Sequence, residues 1–238
     1  MLLKKRWIIY FSDQIIKPVC KKMDTITNPA IVQFLKEHFP GTGFVDGLKI
    51  KYRSYICPFI SLLSFIRPGD RVGDIGCGSG QFLLLASHFA QPSSVYGIEI
   101  SDRLIQNANA LFARQPFKSY VFETYDGNHL PEKLGEMDII FLIDVLHHVP
   151  RKQQERFIEH ICAVMKPGAR FVLKDIDRSS PLVVFNKMHD LIFAGEVGNE
   201  ISMKKAANLL RTHGMHLIEE HKRTMYVYPH YTYVAQKP

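Results

Sequence analysis

The chemistry this sequence can do starts from a carboxylate set before a run of alternating glycines. Asp74-Ile75-Gly76-Cys77-Gly78-Ser79-Gly80 closes a short apolar segment and leads directly into a helical pattern. Glycine in such a turn permits positive φ and lets a ligand come close to the backbone. The next apolar segment ends in Gly97-Ile98-Glu99, and one carboxylate there can accept both hydrogen bonds of a ribose diol. A glycine turn alone is weak evidence; joined to that acid, it points to a nucleoside. Further on, Asp126-Gly127, Asp144 and the pair His147-His148 follow the ends of later apolar segments. Histidine titrates nearest neutrality, so either ring is a candidate general base, with core packing as the plainer reading of both.

The spacing also discriminates between nucleosides. Dinucleotide folds seat a pyrophosphate on a helix N-terminus with G-x-G-x-x-G. Here the turn reads G-x-G-x-G, and Asp74 stands two residues before its first glycine. A carboxylate there repels a pyrophosphate and favours a cation. S-adenosylmethionine carries an ammonium and a sulfonium and no phosphate, so the residues favour it over a nicotinamide dinucleotide.

These groups need a scaffold, and the chain supplies an alternation of short apolar and helical segments. Strand patterns fall at 71–75, 94–98, 119–123, 138–143 and 170–174, with helical patterns at 81–90, 102–114 and 151–165. Alternating β and α units imply a parallel sheet covered on both faces. A helix at 203–213 stops at Gly214, and strands at 215–227 and 231–236 are joined by a turn at Tyr228-Pro229-His230. The expected fold class is therefore α/β: a Rossmann-like, doubly wound, mostly parallel seven-stranded sheet with a C-terminal antiparallel hairpin. An N-terminal helical extension at 1–50 precedes a ligand-binding domain at 51–238. Asn28-Pro29 opens one helix of that extension by the cap-then-proline rule, and another helix runs over 51–66, whose Tyr52 and Tyr55 are candidates to close over the ligand, with core packing as the plainer reading. Residues 180–195 break the alternation as an insertion, apolar nearly all round, which something must cover.

Composition bounds the rest. The chain has 238 residues, 46% hydrophobic and 22% charged, enough for a core that needs neither disulfides nor a structural metal. No apolar run approaches the roughly 18 residues of a membrane span. The four cysteines, Cys20, Cys57, Cys77 and Cys162, show no C-x-x-C spacing and read as reduced cytosolic thiols. The net charge of +7 is concentrated early: up to Arg53 there are ten basic and four acidic residues. The opening segment carries Ile8, Phe11, Ile15 and Val19 at helical spacing, with Leu2, Leu3 and Trp7 at its start. It reads as a basic interfacial helix for an anionic membrane surface, or as a lid over the pocket. The expected location is cytoplasmic, with peripheral membrane contact as its extension.

Taken in order, the motifs resemble those of class I S-adenosylmethionine-dependent methyltransferases. Residues 74–80 look like the family's signature loop and Glu99 like its ribose-binding acid. Asp126-Gly127-Asn128-His129-Leu130-Pro131 resembles the segment after the third strand. Residues 138–150 are similar to the fourth-strand motif, and Met165-Lys166-Pro167-Gly168 to the turn before the fifth. Gly73 departs from the pattern, which usually has a bulky apolar residue there, and is expected to loosen strand packing. The resemblance implies S-adenosylmethionine as cofactor and S-adenosylhomocysteine as product. It implies Gly76, Cys77 and Gly78 along the methionine moiety, Glu99 on the ribose, Asp126 and Gly127 near adenine, and Asp144 at the end of the fourth strand.

The acceptor is narrowed by what is missing. The fourth strand is followed by Ile143-Asp144-Val145-Leu146, not the Asp/Asn-Pro-Pro-aromatic sequence of base-amino methylation, and there is no Pro-Cys pair for cytosine-C5 chemistry. Aromatic residues are scarcely interleaved with the basic arm, so nucleic acid is an unlikely partner. A hydrophobic small molecule remains, aromatic, quinone-like, polyketide or lipid-like, methylated on oxygen or carbon. The competing expectation is a catalytically silent binding protein of the same fold. Asp144 and Asp175 lack a third ligand, so no metal is expected.

Overall fold

In the computed structural model the described residues are 26–38, 56–193, 195 and 197–238. The N-terminal helix read around Trp7, the residues Tyr52 and Tyr55, and the start of the helix expected at 51 lie outside them.

Helices α1 (Asn28–His38) and α2 (Phe59–Ser64) precede the alternation β1 (Arg71–Ile75), α3 (Gln81–Phe89), β2 (Ser94–Glu99), α4 (Asp102–Ala113), β3 (Tyr120–Thr124), β4 (Ile139–Ile143), α5 (Gln154–Val164) and β5 (Arg170–Ile176). Then follow α6 (Val183–Phe193), α7 (Met203–Thr212), β6 (His216–Met225) and β7 (Tyr228–Gln236). The seven strands lie in the order β3-β2-β1-β4-β5-β7-β6. β1 to β5 run parallel, and β7 is antiparallel to both β5 and β6. The chain turns one way from β1 through β3 and the other way from β4 through β5. The carboxyl ends of β1 and β4 therefore flank the crevice where such sheets take their ligands.

Apolar runs without alternation mark the central strands. Every residue of β4 and of β5 is buried, as expected for strands covered on both faces. One face packs Val72, Phe141 and Val172 under α2, α3 and α4, and the other packs Ile75, Leu142 and Leu173 under α5 and α7. At Gly73 the expected looseness is absent. A Cβ there would stand 3.0 Å from Met137 Cγ and 3.5 Å from Leu134 Cδ2. Both neighbours are buried, so they fill the space a larger side chain would take.

Gly97 shows the opposite economy. A Cβ at this position would lie 2.6 Å from Phe122 Cδ1 and 2.8 Å from Cys77 Sγ. Gly97→Ala is expected to destabilise the fold by about 1–3 kcal/mol through overpacking, read as a lower urea midpoint with an unchanged slope.

The C-terminal hairpin differs from the sequence reading in its turn. β7 already begins at Tyr228, and the chain reverses at Tyr226-Val227, with Tyr226 at φ 55°. Pro229, expected in the turn, lies in the strand beside Thr224, and its carbonyl accepts from the Asp177 amide at 2.7 Å.

Candidate active site

The loop after β1 is shaped by positive φ at Gly76 (75°), Gly78 (55°) and Gly80 (79°). The amides of Gly76 and Cys77 both donate to the Ile98 carbonyl, at 2.8 and 3.0 Å, which ties the loop to β2. A Cβ on Gly76 would overlap Val145 Cγ2, whereas one on Gly78 would meet nothing within 4 Å. The loop is thus packed on its inner side and open at Gly78. Glu99 holds the rim: its carboxylate accepts from the amides of Gly78 (3.1 Å), Ile100 (2.8 Å) and Ser101 (3.3 Å). Asp74 is buried in β1 below. Burial pushes the Cys77 thiol well above its ordinary pKa, and the carboxylates of Asp74 and Glu99 push it further. The thiol stays neutral and adds no charge of its own to the cradle.

Beyond β3 the next wall is made by Tyr125, a residue the sequence reading passed over. Its amide donates to the Glu99 carbonyl at 3.1 Å, and burial pushes its phenol up to about 12, reinforced by Glu99, Asp126 and Cys77. Asp126 itself is exposed and folds onto its own turn. Its Oδ1 accepts from the amides of Asn128 (2.8 Å) and His129 (2.7 Å), and its Oδ2 lies 2.6 Å from His129 Nδ1. That His129 contact, with the two amides, holds the carboxyl well below the usual range. Gly127 completes the turn at φ 79°.

At the end of β4, Asp144 adopts φ 56°, a left-handed conformation that a non-glycine residue keeps only when its surroundings enforce it. Two contacts do so: the Asp144 amide donates to the Lys174 carbonyl at 2.9 Å, and the fully buried Lys174 ammonium pairs with Asp144 Oδ1. Capping does not account for it: the short turn at Leu146–His148 starts from Val145 with no side-chain cap. His230, on β7, lies close by. Burial and Lys174 bring its pKa down to about 3, so its ring is neutral.

The histidine pair divides. His147 is buried, with Nδ1 2.5 Å from Asp175 Oδ1 and Nε2 3.7 Å from Asp190 Oδ2. Burial disfavours its charge, but Asp175, with Asp144 and Asp190, outweighs this and raises its pKa to about 9. His147 thus turns Nδ1 onto one buried carboxylate and Nε2 toward another, which fixes the segment that carries His148. His148 is exposed, its ring 4.1 Å from that of His147.

The clamp on His147 also decides how α6 lies. Asn186 Nδ2 donates to Asp190 Oδ2 (2.7 Å) and to Glu200 Oε1 (3.1 Å), and Lys187 pairs with Glu200 at 2.8 Å. Asn186, Asp190 and Glu200 are buried, while Val184, Met188, Leu191 and Ile192 are 54–67% exposed. The expected all-round apolar helix is instead polar inward and apolar outward, and no described residue covers its outer face.

Sheet order, crevice and glycine loop together define the Rossmann-like methyltransferase fold. The solved structure of magnesium protoporphyrin IX methyltransferase from Synechocystis with bound SAH superposes with a TM-score of 0.66 at 18% identity, over 91% of this chain and 98% of that one. The cyclase SpnF has the same fold, with a TM-score of 0.61 at 16% identity over 75% of this chain and 79% of that one. The sequence profile described as a methyltransferase domain matches residues 66–228, and the chain belongs to that family. Among curated relatives, 27-O-demethylrifamycin SV methyltransferase of Amycolatopsis mediterranei is 32% identical over 111 residues, 46% of this chain and 40% of the relative. Demethylmenaquinone methyltransferase of Symbiobacterium thermophilum is 28% identical over 121 residues, 50% of this chain and 47% of the relative. The chain thus spans less than half the length of these relatives.

Proposed function

We propose that this protein is an S-adenosylmethionine-dependent methyltransferase acting on a hydrophobic small molecule. The observation that carries the reading is the acidic cradle at Gly78. Glu99 is held on the rim by backbone amides, with Asp74 buried below, and the loop is open where a ligand must enter. Such a site suits a ligand that is positively charged and bears a ribose. When bound, S-adenosylmethionine supplies a methyl carbon activated by its sulfonium.

The chain's own residues then bind and orient. Gly76, Cys77 and Gly78 line the methionine portion, Glu99 accepts from the ribose hydroxyls, and Tyr125 with the Asp126-Gly127 turn walls the base. Asp144, fixed by Lys174, shapes the crevice at the end of β4. An in-line displacement needs alignment above all. His148, the reachable ring of the pair, takes the acceptor's proton where the acceptor has one to lose. His147 positions the segment that carries it. A hydrophobic acceptor is supported by the apolar outer face of α6 at this edge of the sheet and by the substrates in the relatives' names.

Calorimetric titration with S-adenosylhomocysteine tests the reading. Binding on the order of micromolar is expected, lost in Asp74→Ala. No binding by protein whose circular dichroism shows an intact fold would remove the reading.

A further inference from the structure

A second charged feature lies on the same edge of the sheet, away from the acidic cradle. Arg151 follows the turn after β4, Arg178 and Ser179 follow β5, and Ile201, Ser202 and Lys205 belong to the start of α7. These six residues line one open cleft of about 350 Å³. Among the described residues, neither arginine nor Lys205 makes an ion pair, so three positive charges converge there without compensation. The acid adjoining Arg178 in the chain is already committed. Buried Asp177 accepts from the Ser179 hydroxyl at 2.6 Å and from the Met203 amide at 3.2 Å, and pairs with Lys222 at 3.0 Å. Ser202 caps α7 by accepting from the Lys205 amide at 3.2 Å, so the positive end of a ten-residue helix adds to the field of the side chains.

Uncompensated like charges repel one another, and the cleft offers guanidinium forks, an ammonium and the Ser202 hydroxyl. This is the chemistry that recognises a tetrahedral oxyanion. We propose that the cleft binds a phosphate group carried by the acceptor, so that the substrate class is a hydrophobic molecule with a phosphoryl head. The inference rests on the methyltransferase reading for the identity of the ligand as acceptor. The anion site itself rests only on the cleft. The two sites divide the labour by sign: the acidic cradle after β1 and β2 takes the cation, and the basic cleft after β4 and β5 takes the anion.

The test uses the full chain, the double variant Arg178→Gln/Lys205→Gln and the single variant Arg151→Gln. Inorganic phosphate is titrated calorimetrically at low salt, and S-adenosylhomocysteine is titrated into the same samples. Phosphate affinity is expected to fall about tenfold or more in the double variant and severalfold in Arg151→Gln. S-adenosylhomocysteine affinity should stay within about twofold in both, which also shows that they are folded. Sedimentation with phosphatidylcholine vesicles, with and without phosphatidic acid, separates the sources. Phosphatidic acid-dependent binding that the double variant loses assigns the phosphate to a lipid head. Phosphate binding without vesicle binding assigns it to a soluble phosphate ester. Equal phosphate affinity in wild type and double variant, or none in wild type, overturns the proposal. If phosphate binds as expected but S-adenosylhomocysteine does not, the cofactor reading fails and the anion site stands.

Discussion

Glu99→Ala is expected to weaken S-adenosylhomocysteine binding about 100-fold, the product of two charge-assisted hydrogen bonds at roughly 1.5 kcal/mol each. The carboxylate does two jobs. Toward the ligand it presents acceptors for a diol; toward the protein it takes the amides of Gly78, Ile100 and Ser101. Glu99→Gln separates them. The amide keeps one acceptor oxygen but turns an NH2 toward a backbone N–H or toward the ligand, and it removes the negative charge. Its loss is expected at about tenfold to 100-fold, between wild type and alanine. Calorimetry on both variants, with thermal midpoints to confirm folding, reads the effect. Affinities within about threefold of wild type would mean that Glu99 does not hold the ribose.

His147→Gln is expected to lower the unfolding free energy at neutral pH by about 3–5 kcal/mol, the range for breaking a buried ion pair. Without the imidazolium, the buried carboxylates of Asp175 and Asp190 face each other's charge with less compensation. The pH profile identifies the cause. His147 has its pKa raised to about 9 in the folded protein, against about 6.5 for an unperturbed histidine. Below about pH 6.5 both states hold the proton and its contribution is complete. As pH rises further, the unfolded chain gives up the proton first and the advantage shrinks. Above the folded pKa it is gone. Wild type should therefore lose stability relative to His147→Gln as pH rises across that window, in urea titrations at several pH values. Parallel profiles for the two proteins would show that His147 is neutral in the fold.

The contrast between these two sites shows what could be read from sequence. The cradle is local: Asp74, the glycines and Glu99 lie within two consecutive βα units, so turn chemistry and strand ends place them without reference to the remaining chain. The doubly wound sheet followed from the same alternation and the terminal hairpin from its end, although the turn falls at Tyr226-Val227 rather than at Tyr228-Pro229-His230. The His147 clamp is not local. Its partners come from β5 and α6, and their distance from the histidine in sequence carries no sign of their approach. The orientation of α6 was lost for the same reason. Counting apolar residues from Leu182 to Phe193 predicts a buried helix, yet Asn186 and Asp190 decide which face turns inward because a carboxylate must find its partners. Tyr125 gives no signal in the sequence because one tyrosine beside an Asp-Gly turn is indistinguishable from a packing residue until its amide is seen bonded to the Glu99 carbonyl.

The inverted face of α6 has a thermodynamic consequence. Most helices that detach from a protein bare hydrocarbon, and the water that must then hydrate it raises the heat capacity. The inner face of α6 carries an amide and a carboxylate, and the groups beneath it are His147 and Glu200. Lifting it would hydrate polar groups, whose exposure lowers the heat capacity. The cost of the movement then lies in separating charges rather than in wetting oil, and added salt rather than cooling would ease it.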